Sequence, residues 1–154
     1  FERASDNVEL VIGGDVVFMF QELGADGNTV VFADNTSATF KRHAGTFDAT
    51  NSTVDFRLGN KAYLSVTGDI TNLKLTFPEQ SGNFLLYLSY NGDHTITNYL
   101  VYEFDEGTAT VDNVMWPGGT KPDNTASGKD VFSFYWDATV QTAFGVASLD
   151  FQEP

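Results

Sequence analysis

The feature that most constrains this chain is an alternation of apolar and polar residues with a period of two. Successive side chains of a β-strand point to opposite faces, so this pattern predicts strands with one face in a core. No segment longer than about ten residues has a convincing helical period. The best helical candidate, Asp15–Leu23, contains Val16-Val17-Phe18, which favours a strand there. The clearest alternating segments are Val54–Leu58, Leu73–Phe77, Phe84–Tyr90 and Phe132–Trp136.

Turn residues separate these segments at short intervals. Gly59-Asn60 and Asn91-Gly92 each lie between two predicted strands, so each predicts a tight hairpin. Further turns are predicted at Asp26-Gly27, Glu106-Gly107 and Ser127-Gly128. We therefore expect an all-β fold, an antiparallel β-sandwich of jelly-roll-like topology.

The length of 154 residues fits one domain or two small β-subdomains. We expect an N-terminal β-region over residues 1–62, a candidate attachment segment, and a β-domain over residues 63–154. The two parts could also form a single compact unit. The chain starts with Phe1 rather than Met, so we expect a processed or truncated start.

The charge and composition exclude several functions. A net charge of −13 repels phosphate backbones and anionic lipid, so we expect no nucleic-acid partner and no docking on anionic membranes. The sequence has no apolar run of about 18 residues, so we also expect no membrane insertion. The absence of cysteine excludes disulfides and thiolate chemistry. We expect no cofactor and no metal site, because no D-x-D-x-D-G loop is present and Asp93-His94 alone is a weak ligand pair.

Catalytic residues are not indicated. His43 and His94 are the histidines of the chain, and no G-x-S-x-G elbow accompanies them. Glu103 and Asp105 could act as a glycosidase pair, but a solvated strand edge explains them better. We therefore expect no enzymatic activity.

Exposed aromatic residues are the better candidates for a binding role. Tyr87 and Tyr135 are predicted to lie on the outer faces of their strands, where a tyrosine can contact sugar, pack in an oligomer interface or stay partly exposed. The candidate receptor or interface residues are Tyr87, Tyr90, Asp93, His94, Tyr99 and Tyr135. Trp116 and Trp136 are expected to pack in the core instead.

The C-terminal half resembles a known family. Val114–Pro122 reads V-M-W-P-G-G-T-K-P, Gly128–Val131 reads G-K-D-V, and the chain closes with Gly145–Phe151. This W-P-G-G-T-x-P loop and the strands after it resemble a β-domain near the C-termini of bacteriophage (cyanophage-like) tail-fibre and related virion proteins. The similarity begins near Gly68. It implies a homotrimer and a structural role for the loop, carried by Trp116, Pro117, Gly118, Pro122 and Asp130.

The resemblance and the residue patterns together predict a non-enzymatic virion structural protein. It would be an exposed fibre or spike module, or a capsid decoration protein, on the virion surface. Its expected partners are further copies of itself, capsid or tail proteins and, for host binding, a host-surface glycan. The alternative is a secreted carbohydrate-binding module or lectin.

Overall fold

The computed structural model describes residues 7–12, 15–22, 28–32, 41–102 and 114–152. The fold is all-β, as predicted. The chain divides into two compact units, Phe1–Thr39 and Phe40–Pro154. This boundary differs from the one expected after residue 62, because residues 40–62 contribute strands that pair with later strands of the second unit.

The first unit contains an antiparallel sheet in the order β1-β2-β3. Its strands are β1 (Asn7–Ile12), β2 (Asp15–Glu22) and β3 (Asn28–Phe32). Residues 15–22 are thus a strand and not a helix, as the β-branched Val16-Val17 pair favours.

The second unit contains a large sheet and a small sheet. Their strands are β4 (His43–Ala44), β5 (Asn51–Asp55), β6 (Lys61–Val66), β7 (Ile70–Thr76), β8 (Gly82–Tyr90), β9 (Ile96–Tyr102), β10 (Lys129–Asp137) and β11 (Thr142–Ser148). The large sheet has the order β11-β10-β8-β6-β4, and the small sheet has the order β5-β7-β9.

From β4 to β9 the chain forms a coil that alternates between the two sheets. Each strand runs parallel to the previous strand of its own sheet: β4 with β6, β6 with β8, β5 with β7, and β7 with β9. Only then does the direction reverse, with β10 antiparallel to both β8 and β11. Parallel strands need a crossover connection, and here each crossover runs through the other sheet.

The predicted hairpins and jelly-roll topology are therefore not confirmed. Gly59-Asn60 connects β5 and β6, and Asn91-Gly92 connects β8 and β9, but the strands of each pair belong to opposite sheets. A jelly roll consists of antiparallel strands. The chain does turn at Gly59-Asn60 and Asn91-Gly92, because the same residues that close a hairpin also let the chain bend from one sheet to the other. The turns predicted at Asp26-Gly27 and Glu106-Gly107 lie outside the described residues.

The core lies between the inner faces of the two sheets. The large sheet contributes apolar side chains at alternate positions, and the small sheet does the same from β5, β7 and β9. Aromatic rings fill the centre, where Phe77 stacks on Trp136 with centroids 4.9 Å apart. The largest fully buried side chains include Trp136, Tyr99, Phe56, Phe77, Phe132 and Phe134.

Candidate functional site

The Trp-Pro loop, residues 114–122, bridges the edge strands of both sheets. The Val114 N–H donates to the Tyr99 carbonyl on β9 at 3.3 Å. On the other side, the Met115 N–H donates to the Ala143 carbonyl at 2.8 Å, and the Gly145 N–H donates to the Met115 carbonyl at 2.9 Å. The loop thus covers edge groups of β9 and β11 that would otherwise be open to another strand.

Trp116 holds this loop against the core. Its ring lies 5.3 Å from that of Tyr99 and 5.9 Å from that of Phe132, both edge-to-face. Gly145 on β11 makes room for it, because a Cβ there would lie 2.6 Å from Trp116 Cζ3. Pro117 opens a short 3-10 turn, Pro117–Gly119, in which Gly118 has a φ of +69° that favours glycine.

Asp130 fixes the second half of this region. Its side chain is fully buried on β10. Its Oδ2 accepts a hydrogen bond from the Thr125 N–H at 3.0 Å, and its Oδ1 accepts one from the Asp150 N–H at 3.0 Å. One carboxylate therefore ties the connection before β10 to the segment after β11. Pro122 is half-buried in that connection.

The outward side of the large sheet carries a continuous band of large side chains, named here the aromatic face. Strand register places its members next to one another across β6, β8, β10 and β11. Tyr63 and Tyr87 stack with centroids 5.4 Å apart, and Tyr135 stacks on Phe144 at 6.3 Å. The aromatic face consists of Tyr63, Leu85, Tyr87, Val131, Tyr135, Phe144 and Val146.

A groove of about 470 Å³ lies where the Trp-Pro loop meets the aromatic face. Its apolar lining is exposed to an unusual degree: Met115 is 57 % exposed, Val146 54 % and Tyr135 48 %. The other lining residues are Asn83, Trp116, Pro117, Ser133, Phe144 and Gly145. The structure therefore brings together Trp116, Pro117 and Tyr135, which the sequence had indicated separately.

The other candidate residues lie elsewhere. Tyr90 and Tyr99 point into the core and are 6 % and 2 % exposed, so they cannot form a receptor surface, and burial raises the pKa of both hydroxyls. The Tyr99 hydroxyl instead donates to Asn124 Oδ1 at 2.9 Å. Asp93 and His94 lie in the turn after β8, where His94 Nε2 is 2.8 Å from Asn91 Oδ1.

Several members of the aromatic face were not predicted from the sequence. Phe144 and Val146 alternate with Ala143 and Gly145, so the small residues of β11 point inward and the large ones outward. The inward positions of β11 hold small residues because the Trp116 ring already fills the space beside Gly145. The pattern of small and large residues was the available signal, but the location of Trp116 was needed to interpret it.

Charge is distributed unevenly around this face. The Arg42 guanidinium lies 4.4 Å from the Tyr63 ring centroid, and Lys61 and Lys129 occupy outward strand positions. Among the outward residues of the described strands of the large sheet, Asp137 is the one acid. Other acids are exposed in the described connecting segments, namely Asp48, Asp69, Glu79, Asp93, Asp123 and Asp150.

In the part of the chain that the structure describes, no group of three or more His, Asp or Glu side chains could hold a metal ion. Glu103 and Asp105, the weak glycosidase pair, lie outside the described residues. Among the helices described, none is long and apolar enough to cross a membrane.

Comparison with known proteins finds no match among protein-family models, curated proteins or solved structures.

Proposed function

We propose that this chain is a non-enzymatic structural module of a bacteriophage particle, displayed on the virion surface and assembled into a homotrimer through the aromatic face. It would belong to a fibre or spike, or to a capsid decoration protein. The observation that carries the self-association is the aromatic face itself. The assignment to a phage particle is supported by the W-P-G-G-T-x-P loop and the strands that follow it.

The composition of the aromatic face supports a protein–protein contact. Contiguous exposed apolar surface is uncommon on monomers and marks interaction sites. Interface cores are rich in Tyr, Phe and Met and poor in acidic residues. Leu85, Tyr135 and Phe144 are 40 %, 48 % and 44 % exposed, and they lie on a sheet whose strands hold them in fixed register.

Electrostatics favours another copy as the occupant of this face. Two chains that each carry −13 repel one another over most of their surfaces. The aromatic face is the region where outward strand positions carry Lys61 and Lys129 and Arg42 lies above the rings. Copies can therefore approach through this face with less repulsion than through the described connecting segments that carry exposed acids. Capsid or tail proteins remain the further partners of such an assembly.

A secreted carbohydrate-binding module is the second candidate function. The groove beside the Trp-Pro loop favours it, because Tyr135 provides an aromatic ring and Asn83 and Ser133 provide hydrogen-bonding groups next to it. In that case the face would bind a sugar as a monomer. The two candidates thus differ in the oligomeric state that they predict.

Light scattering across a range of concentrations tests the proposal. We expect a species near three times the chain mass of 16.9 kDa. Val146→Ser should weaken the assembly by about tenfold or more, because it replaces an apolar side chain of the aromatic face that is 54 % exposed. Val140→Ser is the matched control, because Val140 is also exposed, at 61 %, but lies in the turn between β10 and β11.

A monomer at all concentrations would contradict the homotrimer and place the carbohydrate-binding module first. The virion assignment has its own test, immunogold labelling of phage particles from the source of the sequence. Labelling of intact particles is expected. Particles that contain no copy of the chain would refute that assignment.

A further inference from the structure

The outward side of the small sheet carries a second concave site, which is polar. This cleft has a volume of about 300 Å³, at the lower end of the range for small-molecule sites. Its lining comes from all three strands of the small sheet in neighbouring positions. The lining residues are Thr53, Asp55, Lys74, Thr76 and Tyr102, named here the polar cleft.

The polar cleft combines one aromatic ring with charged and hydroxyl groups. The Lys74 ammonium lies 5.4 Å from the centroid of the Tyr102 ring. Register places Asp55, Thr76 and Tyr102 in one row across the sheet, and Thr53 beside Lys74 in the next row. A ring beside convergent donors and acceptors is the combination that a hydroxyl-rich ligand requires.

Asp55 is held as an acceptor at one end of the polar cleft. Arg57 Nε donates to its Oδ1 at 2.8 Å, and Arg57 Nη2 donates to its Oδ2 at 2.7 Å. The hydrogen bonds from the Arg57 side chain lower the pKa of this carboxyl, so it stays ionised at neutral pH. Oδ1 also accepts from the Arg57 backbone N–H at 3.0 Å, so Oδ2 is the oxygen with a second lone pair that can accept from a ligand hydroxyl.

A ladder of asparagines stiffens the same face. Asn72 Nδ2 donates to Asn51 Oδ1 at 3.3 Å, and Asn98 Nδ2 donates to Asn72 Oδ1 at 3.0 Å. Each asparagine lies two positions before a residue of the row that contains Thr53 and Lys74. The backbone that positions the polar cleft is therefore fixed before a ligand arrives, which lowers the entropic cost of binding.

We propose that the polar cleft binds a neutral saccharide, with the sugar ring on Tyr102, Asp55 accepting from a ligand hydroxyl, and Lys74 and the two threonines donating to ring or hydroxyl oxygens. The assignment deepens the host-binding part of the proposed function and rests on it. A nucleotide or an acidic polymer fits poorly, because the chain carries −13 and Asp55 lines the site.

Saturation-transfer difference NMR tests this assignment on the full chain. The probes are the methyl glycosides of glucose, galactose, mannose and N-acetylglucosamine. We expect at least one to receive saturation from the wild-type protein. Tyr102→Ala and Lys74→Ala should each weaken its binding by about tenfold or more, as loss of a stacking or charged contact does.

Thr76→Val is a conservative variant that should fold normally, because it removes a hydroxyl while keeping a β-branched side chain in the strand. It should weaken the same signal by a few fold. The matched control is Lys41→Ala at an exposed position before β4, which should bind as the wild type does. Tyr135→Ala is made to distinguish the polar cleft from the groove of the aromatic face, which Tyr135 lines.

Two results would overturn the proposal. One is no saturation transfer to any of the four probes by folded wild-type protein. The other is binding that survives Tyr102→Ala and Thr76→Val but is lost in Tyr135→Ala, which would place the sugar in the groove of the aromatic face. Neither result bears on self-association, which the mass in solution reports separately.

Discussion

The surroundings of Asp130 require its side chain to accept two hydrogen bonds. A buried carboxylate accepts two backbone N–H groups, from Thr125 and Asp150. Asp130→Asn keeps the shape but replaces one acceptor by an NH2 group that faces a donor. We expect the free energy of unfolding to fall by about 1–3 kcal/mol. Urea unfolding followed by far-UV circular dichroism measures it.

The matched control for Asp130 is Asp123→Asn, the same exchange at an exposed position seven residues earlier in the chain. Surface exchanges of this kind stay within about 0.5 kcal/mol. Equal effects of the two variants would show that the hydrogen bonds of Asp130 do not stabilise the region around the Trp-Pro loop.

His43 should make stability depend on pH. Burial lowers the pKa of its imidazole below the usual 6.5, although the charge of Asp55 opposes part of this effect. The unfolded chain then binds a proton more readily than the folded one, so stability is retained above pH 6.5 and falls as the pH drops below it. His43→Gln should flatten this dependence between about pH 7.5 and 5.5.

The measurement is the urea midpoint of each variant across that pH range. His94→Gln is the control, because His94 lies in a turn, where it contacts Asn91. It should keep the wild-type pH dependence. If His94→Gln flattens the plot of urea midpoint against pH and His43→Gln does not, the burial of His43 is not the cause of the pH dependence.

At the scale of elements, β11 and the Trp-Pro loop depend on each other. A Cβ at Gly145 would lie 2.6 Å from Trp116 Cζ3 and 2.7 Å from Val114 Cγ1. Gly145→Ala should therefore push the loop off the sheet and cost about 1–3 kcal/mol, the usual penalty of overpacking. Chemical unfolding followed by far-UV circular dichroism avoids the fluorescence change that the displaced tryptophan would cause.

A double-mutant cycle isolates this contact. In a Trp116→Ala background the ring that clashes is gone, so Gly145→Ala should cost less there than in the wild type. We expect a coupling of about 0.5–3 kcal/mol. Additive costs would mean that Trp116 does not occupy the space beside Gly145.

The elements show which parts of the fold could be predicted. Alternation located β7, β8 and β10, since a period of two follows from strand geometry alone. The alternating segment Val54–Leu58 was only partly a strand, because β5 ends at Asp55 and Phe56–Leu58 form a 3-10 turn. Alternation could not give the direction of pairing, because a strand alternates in the same way beside a parallel or an antiparallel neighbour. The coil could not be recognised as an internal repeat either, because equivalent positions in successive turns are unequally spaced. Asn51 and Asn72 are 21 residues apart, whereas Asn72 and Asn98 are 26 apart.

The candidate site was predictable to a similar extent. Tyr87 and Tyr135 were expected on outer faces, and the structure places them there. Tyr99 was not recognised as a core residue, because its burial depends on rings from β10 and from the Trp-Pro loop. The polar cleft was missed as a unit for a related reason. Its residues come from three strands whose parallel pairing the sequence did not reveal.

The whole molecule combines a strong net charge with one face that carries few acids. Repulsion between chains of −13 opposes association, whereas apolar contact between aromatic faces, as proposed above, would favour it. Added salt weakens the charge repulsion far more than it changes the apolar contact. The Debye length shortens from about 30 Å at 0.01 M to about 8 Å at 0.15 M ionic strength.

Self-association should therefore strengthen as salt is added. At a fixed protein concentration near the midpoint of assembly, we expect the average mass from light scattering to rise between these ionic strengths. Arg42→Gln should weaken assembly at low salt, since it removes a positive charge beside Tyr63, and the difference from the wild type should shrink at high salt. An average mass that falls with salt would mean that attraction between charges, and not apolar contact of the aromatic faces, holds the copies together.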